Sequence, residues 1–286
     1  MDYIDTHLHL IARDRFTYGW ADAVPVLAEG SFLLSDAQRQ TGGRVAGWIF
    51  METAVDDVHY PAEARWIRSL MDREPRLLGQ IASCRPETDR GFDAWIEEAD
   101  DLNIVGYRRI LHVVDDALSQ SETFRANLHR IGAAGRVFDM CFLARQLPVA
   151  LELALACPDV SLVLDHCGVP DIAGGGLDPW RADMTALASL PNVTCKLSGI
   201  MAYCTPGQAN EAALRPFFDH VLGVFGPKRM LWGSDWPVVN MADGLPDWLD
   251  MTDTLLSGLS PAEAAEIASG TAARVYGVRA PERDRR

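Results

Sequence analysis

Three short stretches of this sequence carry side chains whose types and spacing could do chemistry. The first is Ile4-Asp5-Thr6-His7-Leu8-His9. In a β-strand, period two places Asp5, His7 and His9 on one face and Ile4, Thr6 and Leu8 on the other. Two imidazoles on adjacent same-face positions can chelate one divalent ion, although paired strand histidines also occur in purely structural roles. The second stretch, Leu164-Asp165-His166-Cys167-Gly168, ends an apolar run with a histidine. The third, Gly233-Ser234-Asp235-Trp236-Pro237, ends another run with a carboxylate, and Pro237 stops further pairing. Taken singly, His166 reads as readily as a structural histidine, and Asp235 as a turn or helix cap. Taken jointly, His7, His9, His166 and Asp235 form a candidate metal-ligating set, with Asp235 and His166 also candidate catalytic groups.

Further candidates surround that set. Arg108 and His112 share a strand face with Gly106. An inward arginine can bind a carboxylate or polarise a carbonyl, and His112 can hydrogen-bond a hydroxyl or carbonyl. Glu52 ends the run Trp48-Ile49-Phe50-Met51-Glu52-Thr53 and needs a partner in that apolar setting; one plain reading is a salt bridge to an arginine such as Arg85. Trp20, Tyr18, Trp180 and Trp236 are loop or strand-end aromatics that could stack on a sugar-like ring or simply fill core.

These residues need a scaffold that brings distant strand ends together. Eight β-branched-rich runs are expected as strands: 3–10, 45–53, 77–84, 104–111, 137–142, 160–166, 193–197 and 230–234. Helical patterns lie between them, over 62–71, 123–133, 148–156, 181–190 and 211–225. Ser260-Pro261-Ala262-Glu263 supplies an N-cap, an N1 proline and a reciprocal glutamate for a helix reaching about Ala268. Alternating strands and helices imply parallel pairing, and eight units favour a closed (β/α)8 TIM barrel. No GxGxxG or GxxxxGK[ST] opens a helix, which weakens nucleotide binding. The excursion from Ile11 to Gly43 is a candidate lid over the C-terminal mouth. One barrel domain is expected over 1–278, followed by a disordered tail over 279–286.

Composition agrees with an enzyme-sized α/β domain. The chain has 286 residues, 48% hydrophobic and 23% charged, too apolar for a disordered chain. Its net charge of −14 opposes nucleic acid and anionic membranes. Six dispersed cysteines without a CxxC pair read as reduced, buried thiols. With an acid at residue 2 and no signal-peptide pattern, a cytoplasmic location is expected. Nothing names a partner protein, and a homo-oligomer stays open.

The joint pattern resembles the amidohydrolase superfamily, specifically its lactonase branch of fuconolactonases, rhamnonolactonases, sulfomuconolactonases and pyrone-dicarboxylate lactonases. The resemblance rests on Ile4-Asp5-Thr6-His7-Leu8-His9, Gly106-Tyr107-Arg108-Arg109-Ile110-Leu111-His112 and Phe138-Asp139-Met140-Cys141. It continues through Leu164-Asp165-His166-Cys167-Gly168, Cys195-Lys196-Leu197-Ser198-Gly199 and Gly233-Ser234-Asp235-Trp236-Pro237, and ends at Ala272-Ala273-Arg274-Val275-Tyr276. It implies a hydrolase that opens a small lactone, a sugar-acid 1,4-lactone being the expected substrate. Asp235 would act as general base, the histidines would polarise the carbonyl, and Glu52 would face metal or substrate. Arg108, His112 and Trp20 would hold the ring. Binuclear members carry a bridging lysine on strand four or five and a histidine on strand five. Neither is present, and Lys196 on the seventh run is misplaced for bridging, so one divalent ion, zinc first, or none is expected. A metal-dependent decarboxylase of an aromatic or muconate-type acid is the alternative, and a catalytically silent ligand-binding barrel a third reading.

Overall fold

The computed structural model describes residues 1–205 and 207–279. Its elements run β1 (Tyr3–Leu8), α1 (Gly19–Asp22), α2 (Leu34–Gln40), β2 (Val45–Met51), α3 (Tyr60–Met71), β3 (Leu77–Ser83) and α4 (Phe92–Glu97). They continue with β4 (Ile104–Ile110), α5 (Ala117–Gln120), α6 (Glu122–Ala133), β5 (Val137–Cys141), α7 (Leu147–Ala156), β6 (Leu162–Leu164) and α8 (Trp180–Ala188). The last are β7 (Val193–Leu197), α9 (Glu211–Phe225), β8 (Met230–Trp232), α10 (Leu245–Leu256), α11 (Pro261–Ala265) and α12 (Thr271–Tyr276). All eight expected strands form, in the order β1 to β8, with every neighbouring pair parallel. A parallel bridge from Leu8 to Trp236 joins the first strand to the chain leaving the last. The molecule is a (β/α)8 barrel.

Two apolar layers follow from strand alternation. The larger packs outward-facing residues such as Phe50, Tyr107, Phe138 and Leu164 against the helices. The smaller draws Ile4, Ile49, Ile81, Val105, Val137, Val163 and Leu231 from seven different strands, which places it inside the barrel. Ala272, Tyr276 and Val278 from the C-terminal segment pack onto this inner layer.

β1 departs from simple alternation. Ile4 belongs to the inner layer and Leu8, of the same parity, to the outer one. The pairing register with β2 slips between Asp5 and Leu8, and that irregularity turns the strand's faces over. Asp5 pins the slip: one carboxylate oxygen accepts the His7 N–H (3.0 Å) and the Ser234 N–H (2.8 Å).

Caps read from sequence form as expected at the last unit. Ser260 accepts the Glu263 N–H and Glu263 returns a bond to the Ser260 N–H. The helix is longer than expected, because a π-turn over Glu266–Gly270 carries it into α12. Helices α4 and α10, and the single turns α1 and α5, were not anticipated. The expected tail concerns, from residue 280 onward, positions outside the described residues. Among the described residues no helix is long and apolar enough to cross a membrane.

Candidate active site

The loop after β8 and the end of β1 meet at one point on the barrel rim. The Asp235 N–H donates to the His7 carbonyl (2.9 Å), and the His9 N–H to the Trp236 carbonyl (2.8 Å). Such close approach needs Gly233, where a Cβ would lie 2.7 Å from the His7 Cβ. From α10, Trp248 donates its indole N–H to the Gly233 carbonyl (2.9 Å) and fixes this segment. Both His166 and Asp235 adopt positive φ, 54° and 56°, a backbone region costly for residues bearing a Cβ.

The structure brings His7, His9, His166 and Asp235 together, all buried. His7 Nε2 and His9 Nε2 are 3.2 Å apart, and Asp235 Oδ1 lies 3.7 and 3.6 Å from them. Those spacings are close to the edges of a tetrahedron around a zinc-sized ion, about 3.3–3.6 Å for ligands at 2.0–2.2 Å. His9 Nδ1 meets the Met51 carbonyl at 3.1 Å and must donate to it, which leaves a bare lone pair on Nε2. The Arg108 guanidinium, which can only donate, lies 3.2 Å from His7 Nε2. Two imidazole lone pairs beside a carboxylate suit one cation, which would displace Arg108 from the His7 Nε2 lone pair. Burial lowers the pKa of all three histidines, His9 to about 3, so the imidazoles are neutral and able to ligate.

His166 falls in a second, overlapping group with His7 and Asp165. Its Nδ1 is 2.9 Å from Ser198 Oγ and 4.0 Å from Asp235 Oδ2. A second ion in that group would face a cation already present. Lys196 Nζ is fully buried 3.0 Å from Asp165 Oδ1, 2.5 Å from Asp139 Oδ2 and 3.3 Å from His7 Nδ1. The expectation that Lys196 is misplaced is therefore corrected in part: from the seventh strand it reaches the centre of the site, where Asp139 and Asp165 hold it. Burial alone would raise the Asp165 carboxyl; Lys196 and then His7 outweigh it and hold it well below the ordinary range. Tyr276 donates to Asp139 and closes the network from the C-terminal helix.

Above this floor lies a cavity of about 580 Å³, lined by His9, Trp20, Glu52, Arg108, His112, His166 and Asp235 among others. Glu52 does not pair with Arg85. It takes Arg108 (2.7 Å), because β4 presents Arg108 inward, while Arg85 turns to Asp57 and Ser83. Arg108 also donates to the Glu52 carbonyl (2.8 Å), so most of its donors are committed to the wall. His112 Nδ1 rests 3.3 Å from Cys141 Sγ, and Trp20 donates to the Thr53 carbonyl (2.8 Å). Trp20 thus brings the long first loop to the mouth, whereas Tyr18, Trp180 and Trp236 are core. Burial raises the Asp235 pKa to about 6, against the pull of His166 and Arg108. At neutral pH it is mostly ionised, and close enough to its pKa to exchange a proton.

Sequence reasoning did not single out Asp165, Asp139 or Tyr203. Lys196 held the usable clue. A lysine inside the apolar run Val193-Thr194-Cys195-Lys196-Leu197 has to find carboxylates, and the candidates on neighbouring inward positions are Asp139 and Asp165.

Comparison with known proteins agrees with this geometry. The amidohydrolase family matches residues 4–278. An L-fucono-1,5-lactonase of Burkholderia multivorans is 29% identical, covering 97% of each chain. An L-fucono-1,5-lactonase of Burkholderia ambifaria is 31% identical over 92% of this chain and 80% of its own. The crystal structure of an amidohydrolase from Burkholderia multivorans with bound zinc superposes with a TM-score of 0.89 at 26% identity, covering 98% of this chain and all of that one. The chain belongs to the amidohydrolase family of hydrolases, alongside relatives named for opening lactones.

Proposed function

We propose that this enzyme opens the ring of a small sugar-acid lactone by attack of water. The observation that carries the reading is the convergence of His7, His9, His166 and Asp235 at the floor of one cavity. The family resemblance implies a 1,4-lactone; the two relatives are named for a 1,5-lactone, so both ring sizes belong in the test.

Asp235 Oδ1 faces the two imidazoles, and Oδ2 is the oxygen left to work as a base. It takes a proton from water and later returns it to the leaving ring oxygen. The residues fit one divalent ion, zinc first, held by His7, His9 and Asp235 with His166 adjoining. When bound, such an ion polarises a carbonyl and lowers the pKa of a nearby water. Arg108 and Glu52, paired on the wall, present fixed donors and acceptors to ring hydroxyls. His112 and Trp20 bound the cavity on its outer side.

A decarboxylase reading finds no support on β5, whose inward residue Asp139 is tied to Lys196. The deciding experiment is a pH-indicator panel of 1,4- and 1,5-aldonolactones and unsaturated diacid lactones, with and without chelator. It runs beside a CO₂ assay on aromatic acids. Acid release from a sugar lactone is expected; CO₂ release with no lactone opened would overturn the proposal.

A further inference from the structure

The chain leaving β7 crosses directly over the site. Gly199 has φ 67°, and a Cβ there would sit 2.5 Å from His166 Nδ1 and 2.9 Å from Asp235 Oδ2. No side chain fits between the backbone and these two residues. A single 3-10 turn, Ile200–Tyr203, follows, anchored by buried Ile200 and Met201. It carries the Tyr203 ring back against His166, edge to face, with centroids 6.3 Å apart. Tyr203 lines the cavity together with His166 and Asp235.

Its hydroxyl, like that of the partly buried Tyr60, is unbonded among the described residues, unlike those of the four buried tyrosines. The buried tyrosines Tyr3, Tyr18, Tyr107 and Tyr276 each bond through the hydroxyl, to Asp253, Ala12, Trp95 and Asp139. Tyr203, only partly buried, has no hydrogen-bond partner among the described residues. A phenol placed at a largely apolar wall normally finds one. What sets Tyr203 apart from Tyr60 is its place: it lines the cavity and its ring packs on His166, beside Asp235.

We propose that Tyr203 is a further catalytic residue, whose hydroxyl donates a hydrogen bond to the lactone carbonyl oxygen as negative charge develops there. The inference rests on the lactone-hydrolysis reading above. Water oxygen bonds to the carbonyl carbon while its proton passes to Asp235, and the C=O π pair moves onto the oxygen that Tyr203 faces. The pair then re-forms the carbonyl, the ring C–O bond breaks, and the ring oxygen takes the proton from Asp235. Tyr203 keeps its own proton throughout. Burial, and then Asp235 nearby, push its pKa well above the ordinary phenol value, so it remains a donor across the working range. A donor aimed at a developing oxyanion stabilises the transition state more than the ground state.

The test is Tyr203→Phe, which removes one oxygen and keeps the ring on His166. On the lactone that wild type turns over best, kcat is expected to fall about 100-fold, with KM within about twofold. Thermal midpoint should stay within about 2 °C of wild type, since no buried partner is orphaned. A kcat within about threefold of wild type overturns the proposal. So does a loss confined to KM, which would mark a ground-state contact to a hydroxyl, or a loss tracking a fall in midpoint, which would mark packing. Wild type inert toward every lactone would instead sink the reading of the site, and this inference with it. An active wild type with an unaffected variant sinks the inference alone.

Discussion

Asp235 sits between opposing influences, burial raising its pKa and the cations around it lowering it. With no metal bound, its pKa of about 6 governs the acid limb of activity. Only the ionised form accepts a proton, so kcat/KM should rise about tenfold per pH unit up to that value and level off above it. A bound cation favours the carboxylate and moves the limb to lower pH. Chelator-treated enzyme with a flat profile across the acid range would remove Asp235 as the base. Asp235→Asn should lose about 10³-fold in kcat with the fold retained, checked by circular dichroism alongside turnover. Glu52 has a different burden. Its carboxylate neutralises Arg108 in a buried wall, and Glu52→Gln leaves that guanidinium undercompensated. A destabilisation of about 3 kcal/mol is expected in urea unfolding; an unchanged midpoint would show that Asp165, 3.5 Å from Arg108, suffices as its counter-ion.

At the scale of elements, β1, β7 and β8 and the turns after them do most of the positioning. Gly199→Ala forces a methyl group into His166 and Asp235 at a positive φ. Activity should fall more than about tenfold and stability by about 1–3 kcal/mol, read from turnover and midpoint together. Gly223, exposed in the last turn of α9 with open space around it, is the contrast. Gly223→Ala should stabilise by about 0.5 kcal/mol and leave turnover unchanged. The strands were legible because each is a compact β-branched run, and their ends therefore located His7, His9, His166 and Asp235 at one rim of the barrel. Helix α10 was legible too, though unread: Leu245, Trp248, Leu249, Thr252, Leu255 and Leu256 keep helical spacing and are all buried. Interleaved acids and threonines masked them. The face reversal in β1 was not legible, because a register slip depends on Asp5 reaching Ser234 across the barrel seam. The choice of Arg108 over Arg85 by Glu52 likewise follows from which strand end points inward, which sequence spacing alone does not decide.

Across the whole molecule, a net charge of −14 means that the folded state repels itself. Surface ion pairs such as Arg68 with Asp72 and Arg215 with Glu211 offset little of it. Raising salt from about 0.02 to 0.3 M screens the repulsion more than it costs the exposed pairs, so the midpoint should climb by a few degrees. A fall in differential scanning fluorimetry would show that the pairs dominate.

The buried ammonium of Lys196 has one last consequence. It is covalently part of the chain and no chelator can remove it, so its charge would stay in place at the floor if a bound ion were withdrawn. Stripped protein should therefore keep a ready-made seat, and reloading should be fast and need no refolding.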